Sequence, residues 1–230
     1  MSIYLNADCM NPETGLPSYP DKWFDLAIVD PPYGIGKALT SGGGGGGWKK
    51  QTESNAHLWD IAPNEEYFDQ IFRVSRNQII WGGNYFTLPP CRQPICWDKV
   101  RPNQKNASEW EYAWTSFDGR ARMFSFCANG GFILKEPRLH PTQKPISLYR
   151  WLLTNYAKPG MRLLDTHVGS ASSLVAFEEM GFEYVGFELD TDYYKASCKR
   201  LETFRAQPKL FSGTEMFESS QSKPTTLFDL

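Results

Sequence analysis

The fold of this chain is decided by residues 161–188, which read MRLLDTHVGSASSLVAFEEMGFEYVGFE. Met161–Asp165 is apolar enough to form a buried strand, and this strand ends in a carboxylate. A turn of small residues, 166–172, leads into a predicted helix that Gly181 ends. A second apolar strand then finishes at Glu188. This succession of strand, small-residue turn, helix and strand predicts one unit of a parallel α/β sheet.

The same unit has the composition of a nucleotide-binding site. Small residues allow the backbone to approach a ligand, and the start of the helix offers free N–H groups. Glu188, at the end of the second strand, can hold both hydroxyls of a ribose. Gly169 is the one glycine of the turn. This departure from GxGxxG favours S-adenosylmethionine over a dinucleotide such as NAD, whose pyrophosphate needs several glycines.

Strands and helices alternate on the N-terminal side of this unit as well. Apolar runs predict further strands over 3–9, 24–30, 78–81, 94–99 and 111–115, and helical periodicity predicts helices over 64–76, 146–156 and 192–204. We therefore expect a doubly wound, mostly parallel sheet in a single domain over residues 1–204. Residues 205–230 are polar and aperiodic, and we expect a disordered tail there.

Composition narrows the class of protein. The formal net charge of −2 is evidence against tight nonspecific DNA binding, although a local basic patch is compatible with it. The five cysteines are scattered without a CxxC pair, which predicts reduced thiols and no zinc site. The chain contains neither a secretion signal nor an apolar run of membrane-spanning length. We expect a cytoplasmic protein without membrane contact.

The clearest chemical signal is Asp30-Pro31-Pro32-Tyr33, directly after the predicted strand Phe24–Val29. The Asp30 carboxylate can accept hydrogen bonds from an exocyclic amine, and the prolines fix the backbone so that a carbonyl can face the same amine. Tyr33 can stack on a base taken out of its helix. Asp and Pro are also common in ordinary loops after strands. Together with the nucleotide-binding unit, the motif indicates an enzyme that modifies the amino group of a nucleobase.

Two long segments are predicted to serve this site. Residues 34–60 include six consecutive glycines, Gly42–Gly47, which cannot form a stable helix or strand. Because the segment follows the Asp30 motif, we predict a mobile flap that closes over the substrate. Residues 99–138 are rich in Arg, Lys, Asn and aromatic residues, and we predict a short target-recognition insert there.

The motifs and their order resemble those of the amino-group DNA methyltransferases, which modify adenine N6 or cytosine N4. The resemblance is to the subgroup whose catalytic motif precedes the cofactor motif, and it covers most of residues 1–204. It rests on Asn6-Ala7-Asp8, Asp30-Pro31-Pro32-Tyr33, Trp81-Gly82-Gly83-Asn84, His140-Pro141-Thr142-Gln143-Lys144-Pro145, Leu164-Asp165 with Gly169-Ser170, and Val185-Gly186-Phe187-Glu188. It implies a Rossmann-like, S-adenosylmethionine-dependent methyltransferase fold with a seven-stranded sheet and circularly permuted motifs.

The resemblance also implies the roles of individual residues. The catalytic residues would be Asp30, Pro31, Pro32 and Tyr33. The residues that bind S-adenosyl-L-methionine would be Asp8, Asp30, Thr142, Lys144, Asp165, His167, Gly169, Ser170, Ser172 and Glu188. Within this set, Asp8 would lie near the adenine of the cofactor, and Thr142 and Lys144 would approach its amino-acid end. The reaction would need no metal.

The cofactor turn departs from the family pattern, which usually reads Asp-Pro-Phe-x-Gly-Ser-Gly-Thr. Thr166 and His167 stand in the places of Pro and Phe, and Ala171 and Ser172 in the places of Gly and Thr. An imidazole is flat, as a phenyl ring is, but it is polar and can titrate. These changes bear on cofactor affinity more than on the fold.

Several activities remain open from the sequence. Asp at the first motif position is associated in this family with adenine N6, so we expect a site-specific adenine-N6 enzyme, with cytosine N4 as the alternative. A DNA-binding or decoy protein that has lost the cofactor is an alternative of another class, and RNA or a protein amide are further substrates. A C5-cytosine enzyme would need a nucleophilic Cys such as Cys91, but Cys91 precedes the cofactor motif, the reverse of that family's order.

The expected partner is DNA. Gln207-Pro208-Lys209-Leu210-Phe211 resembles the short peptides that bind bacterial replication sliding clamps, and Thr226–Leu230 could be a second such anchor. The resemblance also suggests a homodimer, membership of a restriction-modification system, and a phage or prophage enzyme working in a bacterial cell.

Overall fold

The computed structural model describes residues 1–35, 60–100, 108–127, 139 and 143–208. The strands are β1 Ile3–Asn6, β2 Phe24–Val29, β3 Ser75–Trp81, β4 Ile95–Asp98, β5 Trp110–Thr115, β6 Arg122–Ser125, β7 Arg162–Asp165 and β8 Glu183–Glu188. The helices are α1 Glu65–Val74, α2 Ile146–Tyr156, α3 Ser172–Glu179 and α4 Thr191–Arg205. Two single 3₁₀ turns lie at Leu16–Ser18 and Gly83–Tyr85.

Within these residues the strands form one sheet in the order β1-β8-β7-β2-β3-β5-β4-β6. Strands β1, β8, β7, β2 and β3 are parallel, β5 is antiparallel to both of its neighbours, and β6 is parallel to β4. The mostly parallel α/β architecture is therefore confirmed. The described residues alone form eight strands, so the expected number of seven is wrong. Strand β6 was missed because three of its four residues are exposed and give no apolar run.

Helices cover both faces of the sheet, as a doubly wound fold requires. Leu26 and Ile28 of β2 pack into the apolar cluster formed with α2 and α3, while Ala27 and Val29 pack into the cluster formed with α1. Successive residues of a strand point to opposite faces, so a strand covered on both sides is apolar throughout. This explains why Leu26–Val29 of β2 is apolar without interruption.

The parallel register brings the predicted site residues to one edge. Leu26 of β2 pairs with Leu163 of β7, and Asp165 at the end of β7 pairs with Gly186 of β8. The carboxyl ends of β2, β7 and β8 therefore meet, and this edge of an open α/β sheet is where ligands bind.

The predicted start of the tail at residue 205 is wrong. Arg205 is the last residue of α4, and its guanidinium bonds to the carboxylate of Glu178 on α3. The remainder of the predicted tail, from residue 209, lies outside the described residues. Among the described helices, none is long and apolar enough to cross a membrane.

Candidate active site

A cavity of about 410 Å³ opens at the carboxyl edge of the sheet. The predicted site residues that line it are Asp8, Asp30, Pro31, Pro32, Tyr33, Lys144, His167, Gly169, Ser170, Ser172 and Glu188. Asp165 lies behind the cavity wall, and Thr142 lies outside the described residues. One cavity thus contains the predicted catalytic motif together with most of the predicted cofactor residues.

The Asp30 carboxylate is held by two donors at the cavity wall. The Tyr33 hydroxyl donates to Oδ1 over 2.6 Å, and the Lys144 ammonium donates to Oδ2 over 2.5 Å. Each carboxylate oxygen can accept a further hydrogen bond. The two donors therefore fix the plane of the carboxylate and still leave it able to receive an amine.

Lys144 is almost completely buried, although a lysine just before a helix is usually exposed to solvent. Its side chain is only 2% exposed, its ammonium is 3.1 Å from Oε2 of Glu111, and it lies 5.2 Å from the centre of the Trp81 ring. Burial alone would lower the pKa of Lys144, but the charges of Asp30 and Glu111 outweigh burial and raise it. Lys144 is therefore a cation at the Asp30 carboxylate. Its predicted contact with the amino-acid end of the cofactor remains a prediction.

Glu111 was not identified from the sequence as a site residue. It lies on β5, and its Oε1 is 2.6 Å from the ammonium of Lys99, which follows β4. Burial would raise the pKa of Glu111, but Lys144 and Lys99 together lower it. The only sequence signal was a carboxylate inside an otherwise apolar and aromatic strand.

The ring of Tyr33 packs closely against other residues of the site. It stacks on Tyr85, with ring centroids 4.8 Å apart and an angle of 14° between the planes. Gly82 has φ +68°, and a Cβ built on it would lie 2.1 Å from Cε1 of Tyr33. Only glycine suits both that backbone conformation and that contact. The motif Trp81-Gly82-Gly83-Asn84 therefore makes room for the ring of Tyr33 through Gly82.

Asp60 is a cavity residue that the sequence did not single out. It is buried, and its Oδ1 accepts the backbone N–H of Gly34 over 3.0 Å. The two ends of the predicted flap thus meet beside the Asp30 motif. The flap itself, apart from its ends, lies outside the described residues.

Glu188 forms the opposite wall of the cavity. Its Oε2 accepts the N–H of Gly169 over 2.7 Å, and its Oε1 accepts the N–H of Asp190 over 2.9 Å. Burial raises the pKa of Glu188, although these two N–H groups act in the opposite direction. The carboxylate is oriented by the backbone and can accept additional bonds from hydroxyl groups.

Asp165 fixes the turn instead of lining the cavity. Its carboxylate accepts the Ser173 hydroxyl over 2.5 Å and the backbone N–H of His167 over 3.0 Å. Burial raises the pKa of Asp165 to about 7, although both hydrogen bonds lower it. The turn also needs left-handed backbone at Gly169, with φ +55°, and at Ala171, with φ +60°. Asp165 therefore shapes the turn that presents Gly169 and Ser170.

His167 lines the cavity, and its ring is part of a hydrogen-bonded chain. Its Nδ1 is 2.9 Å from Oγ1 of Thr166, which is 2.7 Å from the hydroxyl of Tyr67. Burial lowers the pKa of His167 to about 4, so the imidazole is neutral near pH 7. The two departures from the family pattern, Thr166 and His167, thus supply one another with hydrogen-bond partners and leave a flat, uncharged ring at the cavity.

The Cys91 thiol lies outside this cavity. The Cys91 thiol lies 3.6 Å from the carbonyl of Thr115 on β5, and Cys91 is not among the residues that line the cavity. The part of the chain that the structure describes contains no group of three His, Cys, Asp or Glu residues that could hold a metal ion.

The fold is a mostly parallel α/β sheet, and a cavity lined by Asp30 and Glu188 opens at its carboxyl edge. Residues 60–199 match the N6/N4 methyltransferase family model, which is described as DNA methylase. The chain is also 38% identical over 212 residues to YubD of Escherichia coli (strain K12), whose name contains the word methylase. That match covers 87% of this chain and 90% of YubD. The chain belongs to the N6/N4 DNA methylase family, and the resemblance inferred from its motifs is confirmed.

Solved structures share the fold at low sequence identity. TTHA0409 of Thermus thermophilus, in complex with S-adenosyl-L-methionine, superposes with a TM-score of 0.53 at 16% identity, over 90% of this chain and 96% of that one. The PvuII DNA methyltransferase, which is cytosine-N4-specific, superposes with a TM-score of 0.52 at 12% identity, over 95% and 93%. At these identities the likeness extends to the architecture of the domain.

Proposed function

We propose that this protein methylates the N6 amino group of adenine in DNA, with S-adenosyl-L-methionine as the methyl donor and a flipped-out base as the acceptor. The observation that carries the proposal is the pairing of two carboxylates across one cavity. Asp30, held by Tyr33 and Lys144, lies on one side, and Glu188, held by two backbone N–H groups, lies on the other. The first suits an amine and the second suits a ribose.

The residues around Glu188 fit the cofactor. Hydroxyl groups of a ribose would complete the acceptor capacity of Glu188, and the left-handed turn at Gly169 keeps side chains away from the ligand. Asp8 lines the same cavity, where it would face the adenine of the cofactor. Thr142 and Lys144 would contact the amino-acid end of the cofactor. When bound, S-adenosyl-L-methionine supplies an electrophilic methyl group on a sulfonium.

The residues around Asp30 would prepare the amine. The lone pair of an exocyclic amine is delocalised into the ring of the base. Hydrogen bonds from the amine to the Asp30 carboxylate and the Pro31 carbonyl favour a more tetrahedral and more nucleophilic nitrogen. Because both acceptors are fixed before the base arrives, alignment and electrostatics supply most of the acceleration. Tyr33 provides an aromatic surface for the base.

The choice of adenine over cytosine depends on Asp30. The amines of the two bases make the same hydrogen bonds, and the resemblance associates Asp at this position with adenine N6. Cytosine N4 is the second candidate, because the cytosine-N4-specific PvuII enzyme has a similar fold. The base that is methylated, identified by mass spectrometry, decides between adenine and cytosine.

The test is transfer of labelled methyl groups from S-adenosyl-L-methionine to unmethylated bacterial DNA, followed by mass spectrometry of the nucleosides. We expect N6-methyladenine from the wild type and roughly 100-fold less from Asp30→Ala, an order-of-magnitude figure for loss of a fixed electrostatic group. Calorimetry with the cofactor, on both proteins, separates lost chemistry from lost binding.

Each outcome has a definite meaning. N4-methylcytosine would change the base and leave the rest of the proposal intact. A folded wild type that binds the cofactor but methylates no DNA would direct attention to RNA or protein amides. A folded wild type that gives no heat with the cofactor would support the decoy alternative.

A further inference from the structure

Four side chains of alternating charge form a row of ion pairs that ends at the predicted catalytic motif. Lys99 contacts Glu111 over 2.6 Å, Glu111 contacts Lys144 over 3.1 Å, and Lys144 contacts Asp30 over 2.5 Å. The four residues come from separate parts of the chain: the segments after β4 and β2, strand β5, and the residues just before α2. The row connects the start of the predicted target-recognition insert with the catalytic carboxylate.

We propose that Glu111 is a positioning residue for methyl transfer, which holds Lys144 so that Lys144 in turn holds the Asp30 carboxylate. The proposal rests on the proposed function, because it assigns Asp30 to the reacting amine. Glu111 itself does not line the cavity, so it acts through Lys144 without touching a ligand.

The energetics of burial explain why Lys144 needs two carboxylates. An ammonium that is 2% exposed has lost nearly all of its hydration, and a buried charge is tolerated only where partners replace water. Asp30 alone would have to neutralise Lys144 completely, and its carboxylate would then be a weaker acceptor for an amine. Glu111 supplies a second negative charge to the same ammonium. Asp30 therefore retains acceptor capacity towards the cavity.

The geometry gives Glu111 little freedom to do anything else. Its two oxygens face two different ammonium groups: Oε1 lies 2.6 Å from Lys99, and Oε2 forms an ion pair with Lys144 over 3.1 Å without hydrogen-bond geometry. Its strand, β5, is fixed between β3 and β4 in the sheet. A glutamate anchored in this way defines where Lys144 lies, and Lys144 defines the orientation of Oδ2 of Asp30.

The experiment compares Glu111→Gln, Lys144→Met and the double variant, with Glu179→Gln as the matched control. Glu179 also binds a cation, Arg150, but through an ion pair between α2 and α3 that has no part in the cavity. For each protein we would measure kcat, the pH dependence of kcat, and the Kd of the cofactor. Circular dichroism and the unfolding midpoint verify that each variant is folded.

We expect kcat of Glu111→Gln to fall about tenfold, as displacement of a reacting group by a fraction of an ångström can cause, with cofactor Kd within about twofold of wild type. Lys144→Met should lose more. If Glu111 acts through Lys144, the double variant will be no worse than Lys144→Met, because contacting residues in one network are not additive. Glu179→Gln should match the wild type.

The pH profile distinguishes positioning from general support of the fold. The charged and titratable groups around Lys144 are Asp30, Glu111, Lys99, Tyr33 and Tyr149. Burial lowers the pKa of Lys144, and without the charge of Glu111 only Asp30 opposes this effect. The pKa of Lys144 therefore falls. The alkaline limb of kcat should therefore move to lower pH in Glu111→Gln and stay in place in Glu179→Gln.

The proposal is overturned if Glu111→Gln keeps wild-type kcat and an unchanged alkaline limb, or if the losses in the double variant multiply. Either result requires an active wild type, so it leaves the proposed function standing. An inactive wild type overturns the proposed function, and the role of Glu111 with it.

Discussion

Gly82 illustrates how one residue without a side chain determines the placement of Tyr33, a proposed catalytic residue. Its N–H donates to the carbonyl of Tyr112 over 2.9 Å, so the backbone cannot move away from the ring of Tyr33. Its backbone is also left-handed, which L side chains adopt at a cost. Two separate penalties therefore oppose any substitution at Gly82.

The two penalties can be separated by comparing Gly82→Ala with Gly160→Ala. Gly160 has φ +82°, but a Cβ there would meet nothing within 4 Å. We expect Gly160→Ala to lower the free energy of unfolding by about 1 kcal/mol for the backbone alone. Gly82→Ala should cost about 1–3 kcal/mol more because it overpacks Tyr33, and it should also reduce methyl transfer.

Urea unfolding of both variants and single-turnover methylation measure these effects. Equal losses of stability in the two variants would mean that the Tyr33 contact contributes nothing. Normal methylation by Gly82→Ala would show that the position of the Tyr33 ring is unimportant for the reaction.

At the level of elements, helix α1 holds the segment that joins β1 to β2. Arg73, in the last turn of α1, donates to the carbonyls of Leu16 and Tyr19 and to the carboxylate of Asp21. The same segment contains Asp8 at the cavity. One guanidinium therefore connects the packing of α1 with the predicted cofactor end of the site.

Replacing Arg73 by Lys tests this connection, because Lys retains the charge but loses the planar set of donors. We expect the free energy of unfolding to fall by about 1.5–3 kcal/mol, since hydrogen bonds that involve a charged group are being lost. The matched change, Arg150→Lys, affects an exposed ion pair with Glu179 and should cost at most about 1 kcal/mol.

Chemical unfolding of Arg73→Lys and Arg150→Lys under the same conditions gives the comparison. If the two substitutions cost the same, Arg73 is an ordinary surface residue, and the β1–β2 segment is held by its apolar contacts alone.

The elements also show what the sequence could and could not predict. Strands β2, β7 and β8 were predicted because each is an apolar run with a carboxylate at or just after its end, and both signals are local. Strand β6 was missed because it packs at an edge and is mostly exposed. The contact between Lys144 and Asp30 joins residues 114 positions apart. No local pattern contains such information, so Lys144 was predicted beside the cofactor only.

For the whole molecule, the last described helix includes Arg205, the first residue that the composition assigned to the tail. The polar sequence after Phe204 resembles a tail, yet Arg205 binds Glu178 and lies 3.4 Å from the Tyr184 hydroxyl. Glu178 lies on α3, and Tyr184 lies on β8. Helix α4 therefore depends on its last residue to complete its packing against α3 and β8.

Two truncations locate the boundary of the folded domain. A chain of residues 1–208 retains Arg205, and we expect its melting temperature and methylation rate to equal those of the full chain. A chain of residues 1–204 leaves the Glu178 carboxylate without its guanidinium. The loss should be about 1 kcal/mol, which lowers the melting temperature of a domain of this size by about 2–4 °C. Identical melting of the two truncations would place the boundary at residue 204.

The same pair of chains tests the predicted sliding-clamp peptide, because both lack Lys209-Leu210-Phe211 and only one lacks Arg205. If the peptide is a docking motif, the full chain will bind a purified bacterial sliding clamp and both truncations will not. Gln207 donates its backbone N–H to the carbonyl of Phe204 in α4, and the 1–208 chain retains Gln207. Removal of the residues after 208 should therefore leave methylation of free DNA unchanged. Clamp binding by the 1–208 chain, or none by the full chain, would remove Gln207–Phe211 as the anchor.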